Sequence, residues 1–389
     1  MKYNFDDIPC REGTCCEKWD NRAGVFGKAD VLPLWIADMD FEVPPFVTEA
    51  IVGRAAHKLY GYGFRSPAYY AAIAGWVKRR NGWEIKPEWI GFSPGVVAGF
   101  TFGIKAVTAE GDGVVIMRPS YPPFAHTIEA NGRRVIDNPL KWNGQQYEID
   151  FEDLDRKLAG ARALLFCNPH NPTGRVFSPQ ELQRVGELCR KHDVYIVSDE
   201  IHSDLIQKPY RHTHIASLSP ELARRTITLI APSKTFNIAG LSTSVVIIPD
   251  DELRGRFDYE FDKIHAGQGN TFGTVACQAA YEQGDEWLDQ CLEYIHGNMD
   301  YVYDFMTEKL PRIKVYKPQG TYLMWLDFRA LGMTHDELLS MLVQRAGLGF
   351  DEGRKFGTEG VCFMRLNLAT SRKVLEEAMR RLYETCKDL

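Results

Sequence analysis

The stretch that decides the fold class is residues 163–202, which read ALLFCNPHNPTGRVFSPQELQRVGELCRKHDVYIVSDEIH. It begins with an almost uninterrupted apolar run at 163–166 and comes to another at 194–197, and each run predicts a buried strand. Between them, Ser178 is suited to cap a helix, because a proline follows it and Glu181 stands three residues after it. The next apolar residues recur at helical spacing. This strand–helix–strand unit predicts an α/β fold.

The same pattern recurs along most of the chain. The further predicted strands are 114–117, 227–230 and 245–248. Such runs suit strands that are covered on both faces, so we expect a mostly parallel sheet sandwiched by helices. A chain of 389 residues is long enough for two or three domains. We expect an N-terminal segment over 1–45 that packs with the small domain, a large domain over 46–284, and a smaller α+β domain over 285–389.

Composition argues against several classes of function. Lys and Arg number 46 and Asp and Glu number 52, for a net charge of −6, so a dominant role in nucleic-acid binding is disfavoured. No apolar stretch approaches the length of a membrane span, and residues 1–7 lack the apolar core of a signal peptide. The nine cysteines form no CxxC motif. We therefore expect a cytoplasmic protein with reduced thiols that binds neither membranes nor nucleic acid.

Polar residues cluster where the predicted strands end, which is where open parallel sheets bind ligands. Lys234 follows one strand; most lysines are solvated surface charges, but a lysine in a cleft has a lowered pKa and can form a Schiff base. Asp199 follows another strand and could be a helix cap, an ion-pair partner or the group that keeps a ring nitrogen protonated. Together they are the pair that pyridoxal 5′-phosphate (PLP) needs. Gly95, Val96 and Val97 open a predicted helix and could cradle its phosphate, although such a glycine is more often only a turn.

Asn171-Pro172-Thr173-Gly174, Asp199 and Ser233-Lys234 stand in the order and approximate spacing of a known family. The chain resembles the fold-type-I PLP enzymes of the class I/II aminotransferase superfamily over nearly its whole length. Within them it is most similar to the cystathionine β-lyase and cysteine C–S lyase subgroup. The stretches that carry this closer similarity are 18–20, 33–41, 121–124, 168–172, 198–202, 233–237 and 321–327.

The resemblance implies a role for each matching residue. Lys234 would hold PLP as a Schiff base and shuttle the α-proton, and Asp199 would pair with the pyridine nitrogen. Asn171 would hydrogen-bond the phenolic oxygen of the ring and help to bind the substrate, and Tyr121 would stack on the ring. Arg365 would clamp the substrate carboxylate; from the residues alone it could equally be a salt-bridged strand residue.

Other implications concern the assembly and the phosphate. Tyr62 would reach the site of a neighbouring subunit, which implies a homodimer with shared active sites. His202 stands beside the cofactor where many aminotransferases have tyrosine. Ala231 and Ser242 replace the hydroxyl residue and the arginine that hold the phosphate in those enzymes, so phosphate binding is expected from residues 95–97, Ser233 and Tyr62.

The predicted function is therefore PLP-dependent β-elimination from a cysteine S-conjugate such as cystathionine, giving a thiol, pyruvate and ammonia. The alternatives are an aminotransferase acting on an L-amino acid and a regulatory binding protein on the same scaffold. His212 and His214 are spaced as metal ligands can be, but no third ligand is evident. For these two we expect a surface loop and no metal.

Overall fold

The computed structural model describes residues 2–389. The strands in chain order are β1 (Leu32–Pro33), β2 (Ile90–Ser93), β3 (Gly113–Ile116), β4 (Arg134–Asp137), β5 (Lys141–Trp142), β6 (Tyr147–Glu148), β7 (Ala163–Cys167), β8 (Tyr195–Asp199), β9 (Thr226–Ile230), β10 (Ser244–Ile247), β11 (Lys314–Val315), β12 (Leu323–Asp327), β13 (Leu348–Gly349), β14 (Asp351–Glu352) and β15 (Phe363–Asn367). The α-helices are α1 (Glu17–Asp20), α2 (Arg22–Phe26), α3 (Pro45–Ala56), α4 (Pro67–Asn81), α5 (Val96–Val107), α6 (Pro123–Ala130), α7 (Phe151–Leu158), α8 (Pro179–Lys191), α9 (Pro220–Ala223), α10 (Pro232–Thr235), α11 (Asp251–Asp262), α12 (Thr271–Gln283), α13 (Asp285–Lys309), α14 (His335–Ser340) and α15 (Arg372–Cys386).

A seven-stranded sheet in the order β2-β10-β9-β8-β7-β3-β4 contains all five strands predicted from apolar runs. Neighbours from β9 to β4 are parallel, whereas β10 is antiparallel to both β9 and β2. The expected mostly parallel sheet is therefore present, with antiparallel pairing at β10. The connection from β9 to β10, residues 231–243, holds only the four-residue helix α10 and a three-residue 3-10 helix, and a parallel return usually contains a longer helix that crosses the face of the sheet.

The apolar runs are continuous because successive side chains face two different cores. In β8, Val197 belongs to the apolar cluster beneath α5 and α11, while Ile196 belongs to the cluster beneath α7 and α8. The helix between β7 and β8 begins as expected, with Ser178 and Glu181 forming a reciprocal capping box. The α/β fold class is therefore confirmed, with helices on both faces of the sheet.

Two glycines let helix α5 lie close against the sheet. A Cβ on Gly99 would lie 2.6 Å from a methyl carbon of Leu229, and one on Gly103 would lie 3.1 Å from a methyl carbon of Val197. Any larger residue at these positions would push the helix outward. The close approach of α5 to the sheet at these two glycines sets the first turn of the helix beside the carboxyl ends of the parallel strands.

The last hundred residues build an antiparallel sheet in the order β11-β12-β15-β14. It packs with α15 and the second half of α13 around its own apolar core. Helix α13 belongs to two cores, since Trp287 and Leu288 pack with the large sheet's helices while Met299 and Val302 pack with the small sheet. The boundary at 285 stays a prediction.

The N-terminal segment contacts the last hundred residues through β13, with which it forms a separate two-stranded sheet, and through the end of β15. Strand β1 pairs in parallel with β13, and the Asn367 side chain donates to the carbonyl oxygens of Ile36 (2.7 Å) and Asp38 (2.6 Å). Phe5 and Phe41 of the same segment pack instead with Trp287 and its neighbours. None of the helices within residues 2–389 has the length and hydrophobicity that a bilayer-crossing segment needs.

Candidate active site

A cavity of about 530 Å³ lies at the carboxyl ends of the parallel strands. Ten of the eleven predicted site residues line it: Gly95, Val96, Val97, Tyr121, Asn171, Asp199, His202, Ser233, Lys234 and Arg365. The exception is Tyr62, which is 97% exposed and lines a different cavity of the same chain. The strand ends therefore bring together residues that are up to 270 positions apart.

Lys234 enters the cavity because β9 ends just before the short helix α10 that carries it. Its ammonium group donates a hydrogen bond to the carbonyl oxygen of Ala37. Burial lowers the pKa of Lys234 to about 8; the Arg365 guanidinium acts in the same direction, while Asp38 and Asp199 oppose it. A lysine with this pKa is a competent nucleophile and base near neutral pH.

Asp199 is the last residue of β8 and is buried. One carboxylate oxygen accepts a hydrogen bond from the backbone N–H of Ile201 at 3.1 Å. The pKa of Asp199 is raised to about 7, mainly by burial. The neighbouring Glu200 acts in the same direction, while the N–H of Ile201 and the charge of Lys234 oppose the shift. A protonated ring nitrogen at this position would supply the positive charge that favours the carboxylate form.

Arg365 lies on the floor of the cavity, in the middle of strand β15. Its guanidinium donates to Asn171 Oδ1 at 3.0 Å and to the carbonyl oxygen of Trp35 at 2.9 Å, and it forms an ion pair with Asp351 at 2.6 Å. Sequence reasoning missed Asp351 and its neighbour Lys355, both of which line the cavity. The stretch that carries them, DEGRKFG, is visibly charged, but one sequence does not show which strand it pairs with.

The opposite end of the cavity suits a phosphate. Gly95 caps the twelve-residue helix α5 without a side-chain bond, and a Cβ on it would meet no atom within 4 Å. Gly95, Val96 and Val97 line the cavity, so the first turn of α5 lies at it, and a helix N-terminus favours anions. Ser233 and Thr243 line the cavity as well, and the buried hydroxyl of Thr243 has no hydrogen-bond partner among residues 2–389. Thr243 was also missed, since a lone threonine carries no signal in the sequence.

His202 and Tyr121 form part of the walls. The His202 ring is buried edge-on to Tyr322, with ring centroids 6.1 Å apart, and its Nδ1 has no partner within the described chain. Burial lowers the pKa of His202 to about 3, aided by Lys234 and Arg365, so the ring is neutral. Burial also raises the pKa of Tyr121, and Asp199 adds to this effect, so the phenol keeps its proton.

One wall is the segment 35–37, and a partly buried ion cluster holds the residues that follow it. Lys18 pairs with Asp40 at 3.0 Å and Asp38 at 3.5 Å, while Arg11 pairs with Asp38 at 2.6 Å and Asp40 at 2.8 Å. Inside the cavity, the carbonyl oxygen of Ala37 accepts from Lys234 and from Tyr322 Oη. The cluster therefore supports the backbone that contacts the cavity lysine.

The expectation of a surface loop for His212 and His214 was wrong. Both rings are buried, and His212 Nε2 (2.7 Å) and His214 Nδ1 donate to the same oxygen of Glu200. Burial alone would raise the pKa of Glu200, but the two histidines outweigh it and lower that pKa. Although the three residues could supply metal ligands, direct hydrogen bonds already join their ligand atoms. We interpret the group as an anchor for the turn that follows Asp199.

The donor set of the cavity fits PLP. Backbone N–H groups and hydroxyls lie at one end for a phosphate, Asp199 can face a ring nitrogen, the Asn171 amide can reach a phenolic oxygen, and Lys234 can reach an aldehyde. Arg365 provides a place for a carboxylate beside them.

Fold and site together define the class: the chain belongs to the aminotransferase class I and II family, whose model matches residues 29–382. Cystathionine β-lyase PatB of Bacillus subtilis (strain 168) is 44% identical over 381 residues, which cover 97% of this chain and 98% of PatB. A PLP-bound protein of Clostridium difficile 630, provisionally named an aminotransferase, superposes with a TM-score of 0.97 at 40% identity, covering 99% of this chain and 100% of its own. Cystalysin of Treponema denticola, whose structure contains PLP, superposes with a TM-score of 0.96 at 38% identity over 100% of both chains. The predicted family and fold class are confirmed.

Proposed function

We propose that this protein is a PLP-dependent carbon–sulfur lyase. It would cleave cysteine S-conjugates of the cystathionine type by α,β-elimination, giving a thiol, pyruvate and ammonia. The observation that carries the proposal is the convergence of Lys234, Asp199 and Arg365 on one cavity, in a chain 44% identical to PatB.

Each of these residues has a definite task in such a reaction. Arg365 binds the α-carboxylate of the substrate, and Asn171, at 3.0 Å from the guanidinium, orients the same group. When bound, PLP supplies an electron sink for the charge that develops at the α-carbon. Lys234 accepts the α-proton, because burial keeps its pKa near neutral pH. Asp199 keeps the ring nitrogen protonated, and His202, being neutral, adds no competing charge.

The shared active site of a homodimer is part of the proposal. Leu59, Tyr60, Tyr62 and Phe64 are all largely exposed in the single chain, although they are apolar or aromatic. An exposed apolar stretch of this kind favours contact with another protein surface. In the proposed dimer, Tyr62 extends into the neighbouring subunit's cavity at its phosphate end.

The test is to incubate purified protein with PLP and L-cystathionine and to follow pyruvate and free thiol, with and without an added 2-oxo acid. Equal amounts of pyruvate and thiol without the 2-oxo acid are expected. Turnover that requires the 2-oxo acid and releases no thiol would replace the lyase by an aminotransferase. The variant Lys234→Ala should lose both products, and near-normal pyruvate release from it would overturn the assignment.

A further inference from the structure

A charged pair beside Arg365 is not used by the reaction proposed above. Asp351 lies on the edge strand β14, directly opposite Arg365 of β15 in the antiparallel register, so both side chains project from the same face. Lys355 lies one helical turn further on, with its ammonium group 3.4 Å from Asp351. All three residues line the cavity.

Each carboxylate oxygen of Asp351 contacts a different cationic side chain. Oδ2 pairs with the Arg365 guanidinium at 2.6 Å, and Oδ1 faces the Lys355 ammonium. Arg365 therefore has a carboxylate partner before any substrate arrives. If the cavity only had to bind the α-carboxylate of a small amino acid, Asp351 would weaken that binding by competing for the guanidinium. Its position is better explained by a second charged group on the substrate.

The exposure of the three side chains increases towards the mouth of the cavity. Arg365 is 4% exposed, Asp351 is 13% exposed and Lys355 is 44% exposed. A substrate whose α-carboxylate rests on Arg365 and whose side chain extends towards solvent would pass Asp351 and then Lys355. The indole of Trp35, whose ring centre lies 5.9 Å from the Lys355 ammonium, offers an apolar surface for the methylene groups between them.

We propose that Asp351 and Lys355 form a subsite for the distal ammonium and carboxylate groups of a thioether that joins two amino acids. The proposal rests on the proposed lyase function and assigns to these two residues the selection of such thioethers over smaller cysteine derivatives. With such a substrate every charge on this wall gains a partner: Arg365 holds the α-carboxylate, Asp351 the distal ammonium, and Lys355 the distal carboxylate. Cysteine and simple S-alkyl cysteines offer nothing to the outer pair.

The test compares two thioethers on the PLP-loaded enzyme. L-Cystathionine has both distal charges, and S-methyl-L-cysteine has neither. The ratio of their kcat/KM values is measured for the wild type and for Lys355→Met, Asp351→Asn and Lys355→Arg. The matched control is Lys317→Met, because Lys317 is similarly exposed (42%) and pairs with Asp300 at 2.7 Å outside the cavity.

We expect the ratio of cystathionine to S-methylcysteine to fall about five- to tenfold in Lys355→Met, mainly through the KM for cystathionine. It should fall in Asp351→Asn as well, and remain near the wild-type value in Lys355→Arg and Lys317→Met. A ratio that stays within twofold of the wild type in both Lys355→Met and Asp351→Asn would overturn the subsite.

Failure of the lyase proposal would look different, since the wild type would then release pyruvate and thiol from neither thioether. In that case calorimetric titration of L-cystathionine into the wild type and Lys355→Met decides the subsite by itself. Weaker binding to the variant supports it, and equal binding refutes it.

Discussion

Replacing Lys18 by methionine tests whether the ion cluster of Arg11, Lys18, Asp38 and Asp40 supports the cavity wall at 35–37. Lys18 is fully buried and its partner Asp40 is 1% exposed, and one Asp40 oxygen has no hydrogen-bond partner among the described residues. Removing the lysine leaves Asp40 with Arg11 and with the indole N–H of Trp19. Breaking a buried pair by removing one partner costs about 3–5 kcal/mol, and because Arg11 remains we expect the lower end, about 3 kcal/mol. For a chain of 389 residues that unfolds as one unit, this lowers Tm by about 4 °C.

The pH dependence of the Tm difference between Lys18→Met and the wild type provides a second test. Burial would raise the pKa of Asp40, but Lys18 and Arg11 outweigh it and lower that pKa. The carboxylate therefore stabilises the wild type above its unfolded pKa of about 3.9, and this contribution is lost as the pH falls through the lower folded value. In Lys18→Met the effect of burial on the pKa of Asp40 is less strongly opposed. Folding then disfavours the charged carboxylate of Asp40. The Tm difference between variant and wild type should then be larger at pH 8 than at pH 4.

The assay is thermal unfolding followed by circular dichroism, with two companion variants. Lys78→Met breaks a solvent-exposed pair with Glu84, which at 2.6 Å is shorter than the 3.0 Å pair of Lys18 with Asp40, and should leave Tm unchanged. Lys18→Met combined with Asp40→Asn removes both buried charges and should be more stable than Lys18→Met alone, since Arg11 keeps its pair with Asp38. A Lys18→Met shift no larger than that of Lys78→Met, or a double variant less stable than the single one, would refute the argument.

Three further predictions concern the cavity. Because burial lowers the pKa of Lys234 to about 8, the rate at which cofactor-free protein takes up PLP, followed by absorbance, should rise through about pH 8; a midpoint near the ordinary lysine value of 10.5 would contradict it. Thr243→Val should weaken PLP binding about five- to tenfold in equilibrium titrations. The control Thr228→Val alters an equally buried and unpartnered hydroxyl within strand β9 and should leave PLP binding unchanged. Equal losses in both variants would show that Thr243 does not contact the phosphate. Arg365→Lys should raise the KM for L-cystathionine about 10- to 100-fold, because an ammonium cannot reproduce the bidentate fork, and an unchanged KM would show that the carboxylate binds elsewhere.

The parts of the fold that sequence reasoning predicted well are those with local signals. Helix α8 begins where the capping box places it, and five strands coincide with apolar runs to within about two residues. The direction of β10 could not be predicted, because direction depends on where the connecting chain passes and an apolar run is the same in both directions.

The same distinction applies to the site, where residues with a local signal could be predicted and residues placed by the pairing of distant segments could not. Asp199 and Lys234 could be predicted because Asp199 ends one buried strand and Lys234 stands four residues after the end of another. Asp351 could not, since its contact with Arg365 depends on which two strands pair. The contribution of Ala37 is a backbone carbonyl oxygen, which any residue type would provide. His212 was misplaced because its partner Glu200 stands twelve positions earlier, beside a residue that already had a role.

The hydrogen bonds that tie residues 35–38 to Arg365 and Asn367 also bear on how the protein is made. During synthesis, at about 5–20 residues per second, the partners of this segment emerge on the order of tens of seconds after it. Throughout that interval residues 35–38 lack their bonds to Arg365 and Asn367, even though the large sheet can already form. The cavity is thus one of the last parts of the molecule to be completed on the ribosome. A chain that stops short of β15 has the strands that face the cofactor but lacks Arg365, which would bind the substrate.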